Sequence, residues 1–187
     1  MTKDELRSDL LQRRRDMSAD VRNVAADALA LHLLAAPVIA SARRVACYVS
    51  MPTEPGTAPL IDGLMARGVE VIVPLSLPDR TLDWVAYVPS APSTVTTLGI
   101  SEPEGEHLGA SVVDDCALII VPALAVDHSG HRLGRGAGYY DRALAAITRP
   151  LCALVFSHEL LESVPHEPHD IPVDMAVTPD GIFRIPS

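Results

Sequence analysis

The sequence is poor in aromatic residues, at 4% of the chain, and poorer still in cysteine, with three. It holds no apolar run near the ~18 residues that a membrane span requires. Each shortage excludes something. Few aromatics leave little for base-stacking platforms, and a formal net charge of −9 makes the surface as a whole a poor partner for nucleic acid. Cys47, Cys116 and Cys152 each lie in an apolar stretch, and none pairs at metal-ligand spacing. They read as reduced, buried thiols rather than a disulfide framework or a metal site. Met1 to Glu5 leads straight into a charged amphipathic pattern instead of an apolar signal core. The expectation is a soluble, cytoplasmic protein with no membrane or nucleic-acid partner. No Gly-x-Ser-x-Gly elbow is present, which counts against a serine hydrolase. No repeat, low-complexity tract or linker breaks the 187 residues, so one domain spanning 1–187 is expected. With no large exposed apolar stripe standing out, it is expected to be a monomer.

What is present is a regular alternation of elements. Thr2-x-x-Glu5 forms a capping box for a helix to about Asp16, with Leu6, Leu10 and Leu11 on its apolar side. Lys3 and Arg7, four residues apart, project from one face of it. A second helix is predicted from Ser18 until Pro37 stops it, with Val21, Val24, Ala28, Leu31 and Ala35 at helical spacing. Strands are then expected at Arg44 to Val49, Val69 to Val73, Leu82 to Val88, Cys116 to Val121, Leu151 to Phe156, Val173 to Val177 and Ile182 to Ile185. Helices are expected after Thr57 and over Gly138 to Thr148, and Ala91 to Glu106 reads as a long loop. This order implies an α/β three-layer sandwich, with a mostly parallel, Rossmann-like sheet flanked by helices. Ligands in such sheets bind beyond the carboxyl ends of strands, which directs attention to the turns after Val49, Val121 and Phe156.

One of those turns is unusual. Arg132-Leu133-Gly134-Arg135-Gly136-Ala137-Gly138-Tyr139-Tyr140-Asp141-Arg142 places three alternate glycines ahead of a helix. Alternate glycines let the backbone approach a ligand and turn its N–H groups inward. The helix start adds a positive end, and Arg132 and Arg135 supply forked donors suited to phosphate oxygens. Asp141 could hold a magnesium ion bridging those phosphates. The pattern is neither a Walker A loop nor the dinucleotide fingerprint. Read on its own, it fits a phosphate cradle and equally a tight strand-to-helix turn with two solvated arginines.

The whole ordered set of motifs resembles the 5-formyltetrahydrofolate cyclo-ligase family. The stretch Arg132 to Arg142 resembles that family's signature, and Pro122-Ala123-Leu124-Ala125-Val126-Asp127 resembles the segment before it, with Ala123 and Val126 as departures. Lys3 with Arg7, Tyr48-Val49 followed by Glu54-Pro55-Gly56-Thr57, Glu102-Pro103, His169-Asp170, Val173-Asp174 and Val177-Thr178 extend the likeness over nearly the whole chain. The resemblance implies an ATP-dependent enzyme that closes 5-formyltetrahydrofolate to 5,10-methenyltetrahydrofolate. It implies ATP binding by Lys3, Arg7, Arg132, Leu133, Gly134, Arg135, Gly136, Ala137, Gly138, Tyr139 and Tyr140. Folate would contact Val49, Glu54 and the stretch Arg135 to Tyr139, and magnesium would be shared by Asp141 and Asp174. Arg132, Arg135 and Tyr139 would act at the reacting atoms.

Other features carry less. His166-x-x-His169 lies among Pro165, Pro168 and Pro172, so an extended loop replaces the helical face that a paired metal site would use. His128 and His131 are expected in solvent, and Arg13-Arg14-Arg15 reads as a solvated helix end near a favourable dipole.

Overall fold

The computed structural model describes residues 1–96, 101–145 and 147–186. Helices α1 (Lys3–Asp16), α2 (Ala19–Leu34) and α3 (Pro37–Ala40) precede β1 (Arg44–Cys47), α4 (Ala58–Ala66), β2 (Glu70–Ser76) and β3 (Leu82–Ala86). A short pair, β4 (Ser93–Val95) and β5 (Ser101–Pro103), leads to β6 (Leu118–Pro122), β7 (Ala125–Asp127), β8 (Arg132–Leu133) and α5 (Tyr139–Leu144). The chain closes with β9 (Leu151–Leu154), β10 (Leu160–Leu161), β11 (Met175–Thr178) and β12 (Gly181–Arg184).

The main sheet has seven strands in the order β12-β11-β9-β6-β1-β2-β3. Its five inner strands pair in parallel, and β3 and β12 close the two edges antiparallel. Inner strands such as Leu118 to Val121 are buried on both faces, which explains their unbroken apolar runs. The expected fold class is therefore the observed one. Strand order runs outward from β1 to β3, then returns to β6 and runs the other way. Such a reversal opens a crevice beyond the carboxyl ends of β1 and β6. A second, three-stranded sheet (β10-β7-β8) stands at that end, and Leu6 and Leu10 of α1 pack on its Ala125 and Leu133 and on Leu124 just before β7.

Helix α1 begins as expected, with the Thr2 hydroxyl accepting the Glu5 N–H and the Glu5 carboxylate accepting the Thr2 N–H. Helix α2 departs from expectation. Its buried face is Ala25, Ala26, Leu29, Ala30 and Leu33, whereas Val21, Val24 and Leu31 are exposed. The helix is apolar around much of its girth, and packing chose the face that permits the closest approach. A Cβ on Gly56 would stand 2.7 Å from the Cβ of Ala26, and one on Gly63 would stand 2.4 Å from Leu34 Cδ1. Full burial of Leu29, Leu33, Leu60 and Leu64 then contributes about 1.5–3 kcal/mol each. The expectation of a monomer, which rests on the lack of an exposed apolar stripe, loses that support.

Two further departures concern α5 and the long loop. Helix α5 ends at Leu144, short of the predicted Thr148, with position 146 outside the described residues. The stretch from Ala91 to Glu106 contains the antiparallel pair β4 and β5, with positions 97–100 outside the described residues. Polar Ser, Thr and Glu residues give this pair no apolar alternation to read from sequence.

Candidate functional site

The glycine loop leaves β8 and enters α5 through Gly138, whose φ of 73° is left-handed; Gly136 is left-handed too, at 96°. Without side chains there, the backbone forms a thin partition between two cavities of ≈ 330 Å³ each. Arg132, Gly134, Gly136, Gly138 and Asp141 line both.

The first cavity fills the crevice between β1 and β6 and is walled mainly by apolar groups, among them Val49, Pro74, Leu82, Ala123, Leu124 and Tyr139. Arg135, Ala137 and Tyr140 line it from the loop and α5. Burial raises the Tyr140 hydroxyl pKa above its usual value, and the nearby Cys47 and Glu54 add to the rise, so this phenol stays neutral. Glu54 is buried; its Oε1 accepts a hydrogen bond from Arg135 Nε at 3.1 Å and its Oε2 accepts the Met51 N–H at 2.9 Å. The bond from Arg135 ties the glycine loop to the segment that follows β1.

The second cavity is polar and lined by charges of both signs, Lys3, Arg7 and Arg132 among four carboxylates. Lys3 and Arg7 reach it from the first turns of α1, with Leu133, Glu167, His169 and Asp170 opposite. Lys3 Nζ lies 2.7 Å from Asp170 Oδ2, and Arg7 donates from Nε to the Gly134 carbonyl at 3.0 Å and from Nη1 to Asp4 at 2.6 Å. Burial alone would raise the Asp170 pKa, but hydrogen bonds from Lys3 and the Glu167 N–H hold it below the usual carboxylate range. Arg132, 6% exposed, joins the two cavities: Nη1 donates to the Ile171 carbonyl at 2.7 Å and Nη2 to Asp141.

Most of the residues singled out in the sequence therefore line one cavity or both. Asp174 does not. It stands at the amino end of β11, its Oδ2 accepting the N–H of Leu151 at the amino end of β9 at 2.7 Å, and it lines neither cavity. Asp141 does line both, partly exposed on the shared wall. Among the described residues no three His, Cys, Asp or Glu side chains gather at metal-binding distance.

Arg14 is a residue that sequence reasoning misplaced. It is 1% exposed, and its Nε and Nη2 pair with both oxygens of the fully buried Glu159 at 2.6 and 2.8 Å. Nη2 also donates to the Ala123 carbonyl at 2.7 Å, and the guanidinium lies 5.5 Å from the Phe156 ring centroid. The signal was available: Leu6, Leu10 and Arg14 follow at four-residue steps, so Arg14 belongs to the buried face of α1. The three thiols are free and buried as expected; burial pushes Cys116 up to about 11 and raises Cys47 and Cys152 as well, which leaves them protonated and unreactive.

Asp127 holds the approach to the loop. Oδ1 accepts the N–H groups of Ser129 and His131, and Oδ2 accepts that of Val164 and meets the His131 ring. Burial opposes ionisation, yet these donors outweigh it and lower the Asp127 pKa. A carboxyl whose folded pKa is depressed contributes stability above its unfolded pKa, near 4, and loses it as pH falls through the folded value. Asp127→Asn is therefore expected to lower the melting temperature at pH 7 and to flatten its decline below about pH 4. Thermal unfolding measured from pH 7 to pH 3 checks this; parallel curves for the two proteins would refute it.

Fold and site together define a doubly wound α/β protein with a two-chambered cleft at the carboxyl edge of its sheet. A family model described as the 5-formyltetrahydrofolate cyclo-ligase family matches residues 1–179, and the chain belongs to that family. It is 40% identical over 185 residues to a 5-formyltetrahydrofolate cyclo-ligase of Mycolicibacterium smegmatis, covering 95% of this chain and 94% of the relative. The corresponding protein of Escherichia coli K12 is 30% identical over 179 residues, covering 92% and 98%. The solution structure of Aquifex aeolicus 5,10-methenyltetrahydrofolate synthetase superposes with a TM-score of 0.85 at 30% identity, covering all of this chain and 94% of that one.

Proposed function

We propose that the protein converts 5-formyltetrahydrofolate and ATP to 5,10-methenyltetrahydrofolate, ADP and phosphate. The observation that carries this reading is the thin glycine partition, with a largely apolar chamber on one side and, on the other, a polar chamber into which Lys3, Arg7 and Arg132 converge. A folate fits the first by chemistry; in the second, Lys3, Arg7 and Arg132 would exchange their carboxylate partners for the phosphates of ATP.

The N5-formyl group is an amide, so its carbon is a weak electrophile. Transfer of the γ-phosphoryl group to the formyl oxygen converts that oxygen into a leaving group. N10 then attacks the activated carbon, the N10 proton is lost, and the C–O bond breaks as phosphate departs with the ring closed. The protein contributes position and charge rather than a covalent nucleophile. Lys3, Arg7 and the backbone of Leu133 to Tyr140 would cradle the phosphates. Arg132 and Arg135 would neutralise charge developing on the transferred group. Tyr139, beside the loop, would help to orient the reacting atoms, and Val49 and Glu54 would flank the folate.

Asp141 suits a magnesium ion, because magnesium commonly keeps several waters and takes one or two carboxylates with substrate phosphates. The ion would neutralise charge on the transferred phosphate. Asp174, whose Oδ2 accepts the Leu151 N–H and which lines neither cavity, is the weaker candidate to share it. Asp141→Asn is therefore expected to raise the magnesium concentration for half-maximal turnover at least tenfold, whereas Asp174→Asn leaves it within twofold; equal effects in a magnesium titration of both variants would restore the shared site. Three buried free thiols fit a cytoplasmic setting.

The test is a spectrophotometric assay of the purified protein with 5-formyltetrahydrofolate. Methenyl absorbance should grow only when ATP and magnesium are both present. A flat trace from folded protein would overturn the proposal.

A further inference from the structure

We infer that Glu102 is a specificity-determining residue that receives the donor edge of the folate's pterin ring; this rests on the folate reading of the first cavity. Three carboxylates line that cavity: Asp141 on the glycine partition, paired with Arg132, and Glu54 and Glu102 away from it. Glu54 and Glu102 are not equally available. Each oxygen of Glu54 already accepts a hydrogen bond, one from Arg135 and one from the Met51 N–H. Glu102 spends only Oε1, on the Ser76 N–H at 2.9 Å, and among the described residues Oε2 has no hydrogen-bond partner.

Position points the same way. Ser76 ends β2, and Glu102 on β5 is held against it, so this carboxylate marks the β2 side of the cavity. The glycine loop closes the side reached from β6 and β8. A pterin carries its formyl-bearing N5 on one ring and its N3–H and 2-amino donors at the far edge of the other. With N5 against the glycine partition, that far edge faces away from the loop and toward β2. A half-buried carboxylate with an open oxygen is the acceptor that such a paired donor edge requires. The neighbouring Pro74, Leu82 and Pro103 surround it with apolar wall, which strengthens a hydrogen bond to charge.

The test uses the full chain with 5-formyltetrahydrofolate and with its 2-desamino analogue, in which hydrogen replaces the 2-amino group. Binding is measured by calorimetry without ATP. Glu102→Gln keeps an oxygen for the Ser76 N–H and turns an NH2 group toward the pterin donors. The variant is expected to bind the natural folate roughly ten- to a hundred-fold more weakly, the range for a hydrogen bond to a charged group. Against the analogue it should lose far less, and its KM for ATP should stay within twofold of wild type. Wild-type protein should itself discriminate against the analogue, a comparison that needs no variant to fold. Folate binding by Glu102→Gln within twofold of wild type would overturn the assignment, as would equal weakening for both ligands. Wild-type protein that binds neither folate would overturn the folate reading itself, and the assignment with it.

Discussion

Replacing Arg132 with alanine is expected to reduce kcat/KM by two to three orders of magnitude or more, about what the loss of one preorganised donor to developing charge costs. The side chain is buried, yet it is the wall of both chambers, and its two Nη groups are committed in different directions, to Ile171 and to Asp141. Alanine would remove the donor and release Asp141, the proposed magnesium ligand, at the same time. Lysine should not rescue it, because a single ammonium cannot reproduce a planar fork aimed at two partners. Asp141 is partly exposed and can be rehydrated, so the fold should survive. Steady-state kinetics with circular dichroism and a melting curve would separate the two effects. Turnover near wild type in folded Arg132→Ala would remove the residue from the mechanism.

The largest expected effect on stability lies elsewhere, at Glu159. Glu159→Ala would leave the Arg14 guanidinium, 1% exposed, buried with no counter-ion. Breaking a buried pair from one side costs about 3–5 kcal/mol. For a chain of this length that corresponds to a fall of roughly 6–20 °C in melting temperature. The Phe156 N–H, which donates to Glu159 Oε2 at 2.9 Å, would lose its acceptor as well. The double variant Arg14→Met with Glu159→Leu should recover part of the loss, since no charge remains to be buried. Differential scanning calorimetry of the three proteins tests this, and a single variant within 1 kcal/mol of wild type would show that water or rearrangement relieves Arg14.

The contrast between these two arginines shows what was legible in the sequence. Arg132 sits in a run whose glycines, arginines and tyrosines have a spacing that local chemistry can interpret, and the cavities formed around that run. The parallel sheet was legible because its inner strands are apolar on both faces. Arg14 was hidden by its charged neighbours, although its spacing from Leu6 and Leu10 placed it on the buried face. Its partner Glu159 is distant in sequence and sits in a segment with no motif of its own, so only the fold brings them together. The α2 face was misread for the opposite reason: valines and leucine made the stronger pattern, but alanines made the closer fit. Asp174 was assigned by resemblance alone, and nothing in its own surroundings marks it as a ligand. Glu102 became informative only when Glu54 proved to be occupied.

Helix α1 also acts as a ruler. At 1.5 Å per residue, its 14 residues measure about 21 Å, and the same rod presents Lys3 and Arg7 to the polar chamber and Arg14 to the wall of the other. Its two ends are fixed by contacts from distant parts of the chain, Asp170 at the start and Glu159 near the finish. The span between the chambers is thus written into a count of residues. One residue inserted between Arg7 and Arg14 would turn one end by about 100° against the other, so that the helix could satisfy either chamber but no longer both.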